Sequence, residues 1–159
     1  MTNKLVIVRF DEPYDDILSP EHNVRLMGTI ARIIAKPEES SEVLVISGKR
    51  RGNTGGTYIS IVLGCKQIGY DILDATTCLE SVLFFVKSHF NLFKTIVLVS
   101  DHNVTSCFPK YFVKNVLKTV SAKAVPIANK EAIEIICKGT NDKKLGEINH
   151  ISPLHVIQH

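Results

Sequence analysis

The chain lacks the features that announce a metal centre, a nucleic-acid surface or a membrane anchor. Its four cysteines, Cys65, Cys78, Cys107 and Cys137, form no CxxC pair. Neither a zinc site nor a thioredoxin-like redox pair is therefore expected. Their apolar neighbours predict small core or near-core residues in a reducing compartment. The histidines His22, His89, His102, His150, His155 and His159 are scattered. Only His155 and His159 have an i, i+4 spacing, and they fall in a tail after Pro153 that should fray. No metal site and no cofactor are expected. No basic run is interleaved with aromatics, and 19 basic against 16 acidic residues leave a formal charge of +3. That surplus is too mild to argue for nucleic acid. No apolar run reaches bilayer length. Met1-Thr2-Asn3-Lys4 leads straight into an apolar stretch, without the regions of a signal peptide. The expectation is a cytoplasmic protein with no nucleic-acid and no membrane partner. Internal repeats and low-complexity segments are also missing.

What is present is core. An apolar fraction of 45% and a charged fraction of 22% over 159 residues suit a single domain covering 1–159. Leu5-Val6-Ile7-Val8, Val43-Leu44-Val45-Ile46 and Thr95-Ile96-Val97-Leu98-Val99 are continuous apolar runs rich in β-branched residues. Such runs predict strands covered on both faces. Between them lie helical patterns. Ser19 is a good N-cap and Pro20 a good first residue for a helix with Val24, Met27, Ala31 and Ile34 on its buried stripe; Pro37 ends it. A second helix is expected through Tyr58, Ile61, Val62 and Cys65, ending near Gly69. Asp71-Ile72-Leu73 reads as a short edge strand or loop. Leu79, Val82, Leu83, Val86 and Phe90 mark a third helix, and Phe108, Phe112, Val116 and Val120 a fourth. Ala132–Cys137 and Leu145–Ile151 read as a terminal hairpin. Strands alternating with helices and then a hairpin predict an α/β sandwich, mostly parallel with an antiparallel edge.

Three polar clusters follow three of these strands. They are Arg9-Phe10-Asp11-Glu12, Ser47 to Gly56, and Asp101-His102-Asn103. In a parallel sheet the carboxyl ends share one edge, where such sheets bind ligands. Converged, they would offer Arg9, one or more of Lys49, Arg50 and Arg51, and His102. That set of cations suits a phosphate or carboxylate.

The same clusters, in this order, resemble the histidine phosphatase (phosphoglycerate mutase-like) superfamily, and the compact layout is similar to its short bacterial phosphohistidine phosphatase branch. Arg9-Phe10-Asp11-Glu12 stands where that family has Arg-His-Gly-Glu. Leu18-Ser19-Pro20-Glu21 matches the segment that starts its first helix. Arg51, with Arg50 as a one-residue alternative, follows the second strand as the family's second arginine does. Asp101-His102-Asn103 stands for Gly-His-Asn. The likeness runs from about Lys4 to Ile151. It implies a three-layer α/β/α sandwich with a mostly parallel sheet and a C-terminal antiparallel hairpin. It also implies phosphate-binding roles for Arg9, Arg51 and His102, with Arg50, Glu12 and Asn103 in support.

The family's nucleophile is the histidine of the first motif, and here the residue is Phe10. A phenyl ring has no lone pair with which to take up a phosphoryl group. Asp11 and Asp101 each replace a glycine, adding negative charge where phosphate would sit, and Asp11 is expected to pair with Arg9 or Arg51. Gly52, Gly55 and Gly56 disfavour helix where the family begins one. The resemblance therefore implies a pseudoenzyme that keeps a phosphate or anion pocket in a binding or regulatory role. Its partner would be a phosphorylated ligand or a protein. Two alternatives stay open. Ser47 to Thr54 superficially resembles the phosphate loop of a flavodoxin-like FMN-binding reductase. A purely structural interaction module would use the clusters only as ion-paired surface.

Overall fold

The computed structural model describes residues 2–11, 20–50, 52–75, 78–117, 126–138 and 145–153. Six strands form one sheet: β1 (Thr2–Arg9), β2 (Val43–Ser47), β3 (Lys66–Gly69), β4 (Thr95–Ser100), β5 (Ala132–Lys138) and β6 (Leu145–Ile151). Their spatial order is β3-β2-β4-β1-β5-β6. The pairings β1–β4, β2–β4 and β2–β3 are parallel; β1–β5 and β5–β6 are antiparallel. The architecture is the expected α/β one, a parallel core with an antiparallel C-terminal hairpin.

Period-two alternation divides the core. Leu5, Ile7, Ile96 and Leu98 face one layer, where Val82, Val86, Phe108 and Phe112 pack on them. Val6, Val8, Val97 and Val99 face the other, against Leu26, Met27, Ile30, Ala31 and Ile59. The continuous apolar runs are thus buried on both sides. Helices α1 (Pro20–Ile34) and α2 (Asn53–Leu63) supply the second layer. Helices α3 (Ile72–Ala75), α4 (Leu79–His89), α5 (His102–Thr105) and α6 (Phe108–Val116) belong to the first. None of the described helices is long and apolar enough to cross a membrane.

Several local expectations are corrected. Val24 is 44% exposed; the buried stripe of α1 is Leu26, Met27, Ile30, Ala31 and Ile34. Helix α2 stops at Gly64, which caps it at φ 65°, and Cys65 lies beyond its end. Lys66–Gly69 is the edge strand β3, and the segment from Ile72 is helical. An edge strand needs apolar residues on one face only, so Lys66-Gln67-Ile68-Gly69 carries little periodic signal. Ile61 is exposed, and Ile59 and Leu63 bury instead. Cys78 and Cys107 are exposed rather than near-core; only Cys137 is buried, and Cys65 is half-buried. The acidic stretch Pro37–Glu42 is a 3-10 helix. Ser19, Val120, His155 and His159 lie outside the described residues.

Candidate functional site

The carboxyl ends of β1, β2 and β4 meet at one edge, and the backbone ties them together. Phe10 N–H donates to Ser100 O at 2.8 Å. Gly52 follows β2 at φ 77°, and a Cβ there would stand 2.4 Å from Val99 O. Only a residue without a side chain lets this turn cross β4 so closely. Helix α2 starts directly after it. The glycines therefore do not prevent a helix here, contrary to expectation. Gly55, in the first turn, gives the reason for its small size. A Cβ on it would lie 2.7 Å from Phe10 Cγ.

Alternation sends Arg9 and Phe10 to opposite faces of the sheet. Phe10 turns toward α1 and α2. It is 3% exposed, packs with Val8, Met27 and Ile59, and meets Tyr58 edge-on at 6.5 Å between ring centres. Arg9 turns toward α5 and α6. Its guanidinium grips the Asp11 carboxylate side-on, Nε at 3.2 Å from both oxygens and Nη2 at 2.7 Å from Oδ2. Nη1 donates to Ile127 O at 3.0 Å. Asp11 also accepts the backbone N–H of His102 at 3.1 Å on Oδ1. Its own N–H donates to Asn129 Oδ1 at 2.9 Å. Lys130 N–H donates to Arg9 O at 2.7 Å, and Arg9 N–H to Glu131 O at 3.0 Å. The segment before β5 thus holds this turn from the far side. Lys130 adopts φ 67° there, a left-handed backbone that is uncommon outside glycine.

A cavity of about 170 Å³ opens beside this arrangement. Arg9, His102, Thr105, Ser106 and Lys110 give it polar groups, and Pro109, Pro126 and Ile127 give it apolar wall. Arg9 and His102 are therefore brought together as expected, with the Arg9–Asp11 pairing that was expected too. The second cluster contributes differently. Arg50 is exposed and does not line the cavity; its N–H and that of Lys49 donate to Asp74 at 3.0 and 2.8 Å. Asn103 is exposed, with its N–H bonded to Asp101 at 3.1 Å. Asp101 caps α5 in this way. Arg51 and Glu12 lie outside the described residues. Ser47, at the start of the segment likened to a flavin phosphate loop, is fully buried, and its Oγ accepts from Gln67 Nε2 at 2.9 Å. Among the described residues no group of three or more His, Cys, Asp or Glu could hold a metal ion.

Sequence reasoning overlooked Thr105, Ser106 and Lys110. The signal existed: His102, Thr105, Ser106, Pro109 and Lys110 follow an i, i+3, i+4, i+7, i+8 spacing, a single helical stripe. Asn129 and the Ile127 carbonyl carried no such signal, since only the antiparallel return of β5 brings them to Arg9.

No protein-family model matches this chain, and no curated protein does. Solved structures match along almost all of it. The protein histidine phosphatase SixA complexed with tungstate superposes with a TM-score of 0.64 at 13% identity, covering 96% of this chain and 99% of that one. A protein from Nakamurella multipartitia assigned as a SixA phosphohistidine phosphatase gives 0.62 at 13% identity, over 95% and 97%. A phosphoglycerate mutase from Plasmodium falciparum gives 0.60 at 11% identity, over 96% and 91%. The fold is that of the histidine phosphatases.

Proposed function

We propose that this chain is a histidine phosphatase relative of the SixA kind that no longer forms a phosphoenzyme and serves as a binding protein. The observation carrying this reading is the ring of Phe10. At the strand-end position that follows Arg9, a phosphoryl acceptor needs an exposed lone pair. Phe10 offers none, and its ring is packed into the α1–α2 layer over Gly55. The groups that would orient an anion stand on the opposite face, where Arg9, His102 and Lys110 line a cavity. The charges of Arg9 and Lys110, with the imidazole of His102 and the hydroxyl of Ser106, suit a phosphate or a phosphorylated ligand. Arg51 is assigned the second arginine's role by its place after β2.

The reading is tested by assay on phosphohistidine and on an aryl phosphate, with a trap for an acid-labile phosphoryl adduct. No turnover and no adduct are expected. Phe10→His is expected to stay inactive too, because Gly55 and the α1–α2 core hold whatever ring stands there. Robust turnover by the unaltered chain with a trapped adduct would sink the proposal. Tungstate, the oxyanion of the SixA complex, is the binding probe.

A further inference from the structure

We propose that Asp11 is an internal anion occupying the oxyanion position of this pocket, so that a phosphate-like ligand binds only by displacing it. The inference rests on the anion-binding reading above and adds its regulation. Its ground is the geometry of one carboxylate. Asp11 takes the side-on fork of Arg9 and the backbone N–H of His102 together. A side-on arginine and a backbone N–H are the donors a phosphoryl oxygen would use. The contact is built rather than incidental. Asn129 fixes the Asp11 backbone, Ile127 O fixes the other end of the guanidinium, and Lys130 closes the turn with a left-handed backbone. Side-chain exposures of 22% for Arg9 and 29% for Asp11 shield the pair while leaving it within reach of solvent.

One feature shows that the carboxylate fills the position incompletely. Among the described residues, the bonds made leave one N–H over on each terminal nitrogen of Arg9, and Arg9 lines the cavity. A planar carboxylate has two oxygens to offer; a tetrahedral oxyanion has more. A ligand that displaced Asp11 would keep the donors Asp11 now uses and add acceptors for those left over. Like charges at one position exclude each other, so the two states are alternatives.

The test is a tungstate titration at fixed low salt by calorimetry, on the unaltered chain, Asp11→Asn and Asp11→Gly. Each variant is first checked by circular dichroism. Both variants are expected to bind about tenfold or more tightly than the unaltered chain, because apparent affinity falls with the fraction of molecules whose site is open. The unaltered chain gives an independent readout. Saturating tungstate should shift the Arg9 Nε–H and His102 amide resonances as Asp11 leaves them. Equal affinity in all three chains overturns the internal-anion proposal and leaves the anion-binding reading standing. Binding by none of them overturns both.

Discussion

Arg9 and Phe10 are neighbours in the chain and belong to different environments. Arg9 sits on the α5–α6 face, where it lines a cavity and its guanidinium bonds Asp11 and the carbonyl of Ile127. Phe10 sits on the α1–α2 face, in a dry cluster with a glycine cleared for its ring. A strand's period of two puts one residue in the site and the next in the core. The phenyl ring of Phe10 adds apolar volume to the layer opposite Arg9. On the proposed reading, the anion groups stand on the face opposite the Phe10 ring, and the sheet separates the two.

The contrast is broken most forcefully from the dry side. Phe10→Ala should cost about 3–5 kcal/mol, the usual loss for a buried aromatic, read as a shift in the urea midpoint. Gly55→Ala should cost about 1–3 kcal/mol, since its methyl would overlap the Phe10 ring. The pair supplies a sharper measure than either variant alone. Phe10→Ala removes the ring but keeps the Cβ, which a Cβ at Gly55 would approach to 2.9 Å, so Gly55→Ala added to it should cost less than in the unaltered chain by about 0.5 kcal/mol or more. Strict additivity would mean that the ring of Phe10 is not what keeps Gly55 small.

From the wet side the effect on stability is smaller. Asp11→Ala removes charge-assisted bonds from a partly exposed pair, and about 0.5–1.5 kcal/mol is expected. The two faces should then dissociate in two measurements. Variants of Phe10 and Gly55 move the urea midpoint and leave tungstate affinity unchanged, whereas variants of Asp11 raise tungstate affinity at a modest cost in stability. A variant of Asp11 as destabilising as Phe10→Ala would make the Arg9–Asp11 contact a structural element, with no need for a ligand.

Much of this was legible in the sequence, for identifiable reasons. Leu5 to Val8, Val43 to Ile46 and Ile96 to Val99 are central strands, and burial on both faces writes itself as an unbroken apolar run. Arg9 and His102 were legible because strand ends in a parallel sheet share an edge. Lys66–Gly69 was not, because an edge strand half open to water has no such run. Val24 and Ile61 misled because an apolar residue on a helix surface looks like one in its stripe; roughly half of any protein's surface is apolar. The role of Gly55 could not be read at all. It depends on a contact with Phe10, 45 residues earlier in the numbering, and composition there suggests only a poor helix. Asn129 and Lys130 reach Arg9 through a pairing that no local pattern encodes.

The smallest expected effect concerns two thiols, one on each face. Cys65 packs against the α1–α2 core, and burial pushes its thiol above the ordinary value despite an opposing backbone bond. Cys78, exposed at the start of α4, has its thiol pulled down by the side chain of Ser81, 2.9 Å away, and by that residue's backbone, against the nearby charge of Glu80. The thiolate is the reactive form. A lowered value also makes each thiolate a weaker nucleophile, by a Brønsted slope of about 0.4–0.5, while below the titration midpoint the thiolate fraction gains a full power of ten per unit. The fraction therefore wins near neutral pH, and access favours Cys78 as well. Brief iodoacetamide treatment followed by mass spectrometry should label Cys78 ahead of Cys65. The lead should narrow as pH rises, since Cys78 ionises fully first and Cys65 continues to gain. Equal labelling at neutral pH would place Cys65 at the surface and weaken its assignment to the α1–α2 core; a wider lead after Phe10→Ala would show the opposite of what loosening that core must do.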